Sequence, residues 1–257
     1  MAGTIQADAA PQHVLITGAS SGIGAALARE YAAPGVRLAL FARHEGRARA
    51  VAEACRAKGA LVACVLVDVT DPEAMADAVT LVDDAHPIDL VIANAGVSGA
   101  SLGGADGVAG LFAINVMGVV HTVEPLIPRL AARGRGQIAL MSSLASFVVR
   151  PGTEGYCASK AAVRVWGEGL RERLRPQGVG VSVICPGFVD TPLTRVNRFP
   201  MPMLMDAAPA AKLIKERLAR DPARIAFPMP MYWGARFAGL FPARMQQALT
   251  GRWPGKE

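Results

Sequence analysis

The sequence predicts a doubly wound α/β domain, a parallel sheet with helices on both faces. Three observations carry that expectation. Short aliphatic or β-branched runs alternate with longer helical patterns along most of the chain. The runs are nearly continuously apolar, as strands covered on both faces should be. At 257 residues the chain has a comfortable size for one such domain with a large core, although length alone would allow two. Repeated strand–helix alternation implies right-handed crossovers and hence a parallel sheet. Apart from that alternation there is no internal repeat, low-complexity tract or linker, so residues 1–257 read as a single domain.

In chain order, residues 1–12 form an N-terminal arm. It has no basic region followed by an apolar stretch and is not read as a signal peptide. The first strand is HVLIT (13–17), and a glycine-rich turn leads from it into a helix. Strands follow at VRLALFA (36–42), LVACVLV (61–67), IDLVIAN (88–94), QIALMS (137–142), VGVSVIC (179–185) and RIAF (224–227). Between them lie helices of about ten to thirty residues. The segment TDPEAMADAV opens with Thr70 and Glu73 spaced as a capping box and Pro72 in the first turn. No stretch approaches the length of a membrane span.

Composition narrows the function. Hydrophobic residues make up 52% and charged residues 19%, which excludes intrinsic disorder. The net charge of +6 invites a nucleic-acid partner, but the arginines are spread along helices and aromatics reach only 5%. A mildly basic surface suits an anionic cofactor or substrate equally well, and no nucleic acid is expected. Cys55, Cys64, Cys157 and Cys185 show neither a CxxC pair nor regular spacing, so they read as small core residues in a reducing compartment. His13, His44, His86 and His121 lack ligand spacing, and no metal is expected. The default is a soluble cytoplasmic protein.

Two patterns carry chemistry. The turn TGASSGIGAALA (17–28) has glycines at 18, 22 and 24, directly after a strand and at the start of a helix. Glycine permits a tight turn and close backbone approach to a pyrophosphate, and the helix N-terminal amides face the anion. Further on, EGYCASKAAV (154–163) sets Tyr156 four residues before Lys160. That spacing puts both on one helix face. A free phenol titrates near 10, and bringing it towards 7 takes roughly 4 kcal/mol. One cation about 4 Å away at an effective dielectric near 20 supplies about that much. A lysine one turn from a tyrosine is therefore expected to acidify it.

Together these motifs resemble the short-chain dehydrogenase/reductase family. TGASSGIG (17–24) resembles its cofactor turn, and ANAG (93–96) resembles its NNAG element, with Ala93 in place of the first Asn. Tyr156 and Lys160 match its YxxxK, with Ser143 thirteen residues before the tyrosine. Asn115 in FAINVMG matches the helix Asn, and CPGFVDTP (185–192) matches the segment after the sixth strand. The match runs from about 13 to 192; Ser146 stands where the family often has Gly, and the chain beyond about 195 follows no family-wide motif.

The resemblance implies a Rossmann-type sheet of about seven parallel strands in the order 3-2-1-4-5-6-7, and an enzyme interconverting a carbonyl and an alcohol. It implies Tyr156 as general acid or base, Lys160 lowering its pKa and binding the nicotinamide ribose, and Ser143 donating to the substrate oxygen. Asn115 would hold a helix distortion and a proton-relaying water. A nicotinamide cofactor would contact Gly18, Ser20, Ser21, Gly22, Ile23 and Gly24, then Asp68 and Val69, then Asn94, Ala95 and Gly96, with Tyr156 and Lys160 at its ribose. Pro186, Gly187, Val189 and Thr191 would complete that surface. For Asp68 the implied role is a bond to the adenine amino group, for Thr191 one to the carboxamide. Asp68 also reads as a turn aspartate, and Thr191 as a helix N-cap. Ala42 stands where NAD-using members carry Asp, and Arg43 follows it, so NADP(H) is expected over NAD(H).

The C-terminal third points to the substrate. Residues 195–222 resemble the family's variable substrate loop and helix. Six of the ten methionines fall between 201 and 245, suiting either an adaptable pocket for a lipophilic ketone or alcohol, or a subunit interface. The tail, 230–257, places Trp233, Phe237, Leu240 and Phe241 at helical spacing with Arg236 and Arg244, and Pro242 should break that helix. Such a stripe covers a neighbouring subunit or the substrate mouth more often than a membrane surface. The resemblance further implies a homodimer or homotetramer built on helices at roughly 103–133 and 154–175. The competing readings are a nucleotide-binding sensor or scaffold without chemistry, and a membrane-associated lipid reductase.

Overall fold

The computed structural model describes residues 10–99, 107–148, 152–197 and 199–241. Parallel strands and helices alternate as β1 His13–Thr17, α1 Gly22–Tyr31, β2 Arg37–Ala42, α2 Glu45–Arg56, β3 Leu61–Leu66, α3 Pro72–Ala85 and β4 Leu90–Ala93. A helical stretch follows, made of α4 Gly107–Phe112, a π-helical turn Ala113–Met117, α5 Gly118–Val123 and α6 Ile127–Arg133. Then come β5 Gln137–Met141, α7 Glu154–Leu174, β6 Gly180–Pro186, β7 Val189–Asp190, α8 Pro192–Arg195, β8 Met205–Asp206, α9 Ala207–Leu218, β9 Arg224–Phe227 and α10 Met229–Ala238.

Seven strands form one parallel sheet, β3-β2-β1-β4-β5-β6-β9, the expected order with β9 as its seventh member. The short parallel pair β7–β8 stands apart and was not expected; two-residue strands leave no periodic signal. The apolar strand runs divide between two layers because side chains alternate across a sheet. Val14, Ile16, Leu38, Leu40 and Ile92 pack on one face with Leu27, Val51 and Ile214. Leu15, Phe41, Val91 and Leu140 pack on the other with Met75, Val79, Val123 and Leu170.

Three expectations need correction. β3 is not covered on both faces: it is an edge strand, with Leu61 and Leu66 each 51% exposed. The N-cap of α3 is Asp71, whose carboxylate accepts from the Ala74 amide, while the Thr70 hydroxyl bonds Asp68 instead. The expected Thr70–Glu73 box is therefore not formed. Finally, Gly107–Arg133 is long and apolar enough to span a bilayer by length and composition, with mean hydropathy 1.5. It lies on the sheet as a core element, with Val119, Val123, Leu126 and Leu130 buried. The opening of the expected helix at 103–106, most of the arm (1–9) and the tail from 242 onward lie outside the described residues.

Candidate active site

The C-terminal ends of β1, β4, β5 and β6 meet at one edge of the sheet, where the motifs converge. Gly18 leaves β1 with φ +65°, a left-handed conformation that favours glycine. The turn then closes onto the end of β4. Asn94 donates its side-chain amide to the Thr17 carbonyl at 2.9 Å, and the Asn94 and Ala95 backbone amides donate to Thr17 Oγ1 at 3.0 and 3.1 Å. A Cβ on Gly24 would stand 2.4 Å from the Gly18 oxygen and 2.5 Å from Asn94 Nδ2, so no side chain fits there. Ser20, Ser21 and Gly22 lead into α1, with Ile23 in its first turn. Ser21 is the N-cap, and its hydroxyl makes no capping bond. The first-turn amides lack intrahelical acceptors, which is the arrangement a pyrophosphate needs.

Beyond β2 and β3, Arg43 Nη1 lies 3.3 Å from Asp68 Oδ2. The Thr70 amide and hydroxyl both reach Asp68 Oδ1 at 2.9 Å. Partial burial pushes this carboxyl up, but the Thr70 bonds and the Arg43 cation outweigh it and hold the carboxyl below its ordinary value. Asp68 is thus a turn aspartate as well as a neighbour of Arg43. Val69 is buried beside it, its carbonyl oxygen 2.9 Å from His121 Nδ1. On the opposite side, a Cβ on Gly22 would come 3.1 Å from Thr191 Cγ2, so Thr191 rests against the turn. Thr191 also N-caps α8 through a reciprocal box with Thr194. Val189 is buried, and the Gly187 amide donates to the Phe227 carbonyl at 2.7 Å.

Ser143, Tyr156, Lys160 and Asn115 are brought together from three elements. Asn115 sits in the π-helical turn, fully buried. Its Oδ1 accepts from the Val97 amide at 2.8 Å, and its Nδ2 donates to the Val97 carbonyl and to Ser159 Oγ, both at 3.0 Å. The expected helix distortion is present. Gly96 marks the junction: a Cβ there would lie 3.1 Å from Asn115 Oδ1 and 3.2 Å from Lys160 Nζ. Lys160 Nζ donates to the Met141 carbonyl at 3.0 Å and stands 6.0 Å from the centre of the Tyr156 ring. Ser143 Oγ accepts from the Ala145 amide at 3.1 Å and lies 3.5 Å from the Pro186 carbonyl.

The expected acidification of Tyr156 is not a property of the protein by itself. Burial pushes the phenol up to about 12 against the lowering effect of its hydrogen bond with Ser143. Burial also pulls Lys160 down to about 8. Both shifts have one cause, desolvation of the charged form, which spacing along a helix does not reveal. Sequence reasoning also missed two hydroxyls. Ser159 Oγ donates to the Tyr156 carbonyl at 2.8 Å while accepting from Asn115, and buried Ser142 donates to the Lys160 carbonyl at 2.8 Å. Ser159 lies 44 residues from its partner Asn115, so no local signal could have found that bond.

Ser143 and Tyr156 open into a cavity of about 870 Å³. Its wall is mainly apolar, with Leu111, Val148, Phe188, Phe199, Met231 and Phe237 among the lining residues. The segment 195–222 contributes its loop, through Asn197, Phe199 and Pro202. Its helix does not take part: α9 packs Ala210, Ala211 and Ile214 into the core beside α1. Of the described methionines after residue 200 only Met231 lines the cavity, and Met203 and Met229 are exposed. Phenylalanines outnumber methionine in this wall, which goes against the pocket reading of the methionine-rich segment but leaves its interface reading open.

Known proteins resemble the chain in both sequence and fold. The model of the short chain dehydrogenase family matches residues 12–200. An uncharacterized oxidoreductase of Myxococcus xanthus is 37% identical over 242 residues, covering 93% of this chain and 96% of that protein. A short-chain dehydrogenase from Sphingobium yanoikuyae, solved in complex with NADPH, superposes with TM-score 0.78 at 27% identity, covering 95% of this chain and 97% of that one. A short-chain dehydrogenase/reductase from Burkholderia phymatum in complex with NAD gives TM-score 0.80 at 27% identity, with 96% and 97% covered. The bulky-bulky ketone specific alcohol dehydrogenase of Comamonas testosteroni gives TM-score 0.76 at 25% identity, with 96% of each chain covered. With its parallel sheet, its glycine turn and its Ser143–Tyr156–Lys160 cluster, this chain belongs to the short-chain dehydrogenase/reductase family, oxidoreductases that act on CH–OH groups with a nicotinamide cofactor.

Proposed function

We propose that the protein interconverts a bulky apolar ketone and its secondary alcohol, using NADP(H). The observation that carries this reading is that Ser143 and Tyr156 both line a cavity of about 870 Å³ whose remaining wall is mainly aromatic and aliphatic. That volume suits a drug-sized ligand, and the ketone-specific relative from Comamonas testosteroni shares the fold.

Gly18 and Gly24 keep the turn tight against Asn94 and Ala95, and the first-turn amides of α1 it leads into are free of intrahelical acceptors, which suits the pyrophosphate of a dinucleotide. Gly18–Gly24 would hold the pyrophosphate, Asp68 and Val69 the adenine side, Asn94–Gly96 and Thr191 the nicotinamide side, and Lys160 the ribose. Bound there, the cofactor supplies or accepts the two electrons and one hydrogen of the reaction. Arg43 would pair with a 2′-phosphate, since Ala42 offers no carboxylate to repel it.

The chain's own residues perform the remaining work. Ser143 Oγ donates to the substrate oxygen and stabilises the charge developing on it. Tyr156 delivers the proton to that oxygen in reduction and removes it in oxidation. Lys160, held by the Met141 carbonyl, keeps a cation near the phenol. Asn115 and Ser159 fix the junction between the π-helical turn and α7. The exposed apolar side chains Val108, Met117 and Val165 support pairing of two copies along the α4–α5 stretch and α7.

Tyr156→Phe tests the reading. Turnover of aryl ketones with NADPH should fall by at least about 100-fold while NADPH still binds; full turnover would exclude Tyr156 as the acid. In a parallel test, Arg43→Ala should raise KM for NADPH but not for NADH.

A further inference from the structure

Helix α10 has two dissimilar sides. One supplies cavity wall through Met231, Ala235 and Ala238. The other is open: none of its residues is buried, and Trp233 is 60%, Phe237 65% and nearby Leu240 78% exposed. Phe237 belongs to both sides, lining the cavity while remaining mostly exposed. The exposed stripe is therefore also the rim of the cavity. The facing loop behaves alike, with Met203 and Leu204 exposed next to the lining residue Pro202. An apolar patch of this kind on a protein surface marks a contact.

Charge identifies the contact. From Pro228 to Phe241 the only charged side chain is Arg236, and the chain continues with Arg244, Arg252 and Lys256 against Glu257. Among the described residues no ion pair involves Arg236. Its guanidinium stacks over the Phe147 ring at 5.9 Å, where Arg164 and Arg224 also lie, at 4.6 and 5.2 Å. Glu168 answers Arg164 and Arg224 but not Arg236. A second copy docked isologously would set Arg236 against its own like charge, with no carboxylate on α10 to balance it. An anionic lipid surface offers what this stripe lacks: a phosphate for Arg236 and an acyl boundary for Trp233, Phe237 and Leu240.

We propose that α10 docks on anionic phospholipid membranes and that the cavity takes its ketone from the lipid phase. The second half rests on the apolar-substrate reading; the first does not. The full-length protein should co-sediment with vesicles of phosphatidylglycerol and phosphatidylcholine, bind pure phosphatidylcholine less, and release in high salt. Trp233→Ser with Leu240→Ser, positions that do not line the cavity, should weaken vesicle binding by at least about tenfold. Arg236→Glu should remove the preference for phosphatidylglycerol. NADPH binding in both variants checks that they fold. The proposal is overturned by no binding to anionic vesicles, by equal binding of the serine variant, or by a serine variant that dissociates in gel filtration, which would make the stripe a contact between copies. Vesicle binding that survives while Tyr156→Phe keeps full turnover would sink the catalytic reading and leave the docking surface standing.

Discussion

Replacing Lys160 by Met removes a charge from the buried site while keeping a side chain of similar length. Lys160 Nζ stands 6.0 Å from the centre of the Tyr156 ring. Taking about 6 Å as the charge separation at an effective dielectric near 20, a unit charge is worth about 3 kcal/mol, or about two pH units on the phenol. Oxidation needs the phenolate, so its rate falls as pH drops through the apparent pKa; reduction needs the phenol and falls as pH rises. Lys160→Met should therefore move the limb of kcat/KM for alcohol oxidation upward by about two units. The assay is the initial rate of a secondary alcohol with saturating NADP, followed by NADPH absorbance from neutrality to about pH 10. Because burial holds Lys160 itself down at about 8, the wild-type limb belongs to the coupled pair, and the shift between the two enzymes is the quantity to compare. A limb that stays in place while only its amplitude drops would refute the electrostatic role and reduce Lys160 to a cofactor anchor.

Three further outcomes follow from contacts already described. Gly24→Ala drives a methyl into the Gly18 oxygen at 2.4 Å and should weaken NADPH binding at least about tenfold; an unchanged Kd in a fluorescence titration would contradict the phosphate turn. Ser159→Ala leaves Asn115 Nδ2 without one of its two acceptors, at a cost of about 1–3 kcal/mol. We expect kcat to fall about tenfold with KM for NADPH unchanged, and equal losses in both would assign Ser159 to folding alone. Asp83 lies buried under Arg129 and Arg133, accepting also from the Ile88 amide. Asp83→Asn should cost about 3 kcal/mol in urea unfolding. Burial raises the Asp83 carboxyl, but the Ile88 amide and the two arginines outweigh it, so its folded pKa is depressed. Its stabilisation is thus present above about pH 4 and lost as pH falls through the folded value; the variant should lose that acid-side slope.

How much of this was legible beforehand depended on the range of the interaction. Strand positions could be read because LALFA (38–42) and IALM (138–141) each place buried side chains on both faces, and a nearly continuous apolar run records that locally; the sheet order came from the family resemblance. The candidate site residues were indicated by the family's motifs in the glycine turn, before Tyr156 and along α7, and the fold gathers Ser143, Tyr156, Lys160 and Asn115 in one place. Edges were not legible, since Leu61 and Leu66 look like core residues and lie exposed because, among the described residues, β3 ends the sheet. Capping was ambiguous, because Thr70 and Asp71 are both capping residues and backbone geometry alone selects the aspartate. The cavity wall was misread because methionine content reports adaptability without position; α9 turned away to pack on α1, and phenylalanines from three separate segments filled the wall instead.

The least legible property was the most chemical one. A sequence gives the charge of a lysine and the distance along a helix to a tyrosine, and from those alone acidification follows. It does not give the dielectric around them. The packing that encloses Tyr156 penalises its phenolate and that around Lys160 penalises its ammonium, driving the two pKa values apart, one up to about 12 and the other down to about 8. At neutral pH the phenol is therefore held protonated beside an apolar cavity, poised to donate, and the lysine remains mostly charged. The same burial that weakens each ion alone strengthens the attraction between them when both are charged. For that reason the motif's spacing is necessary for the proposed proton transfer, while its strength is set by the burial of both side chains, which no motif records.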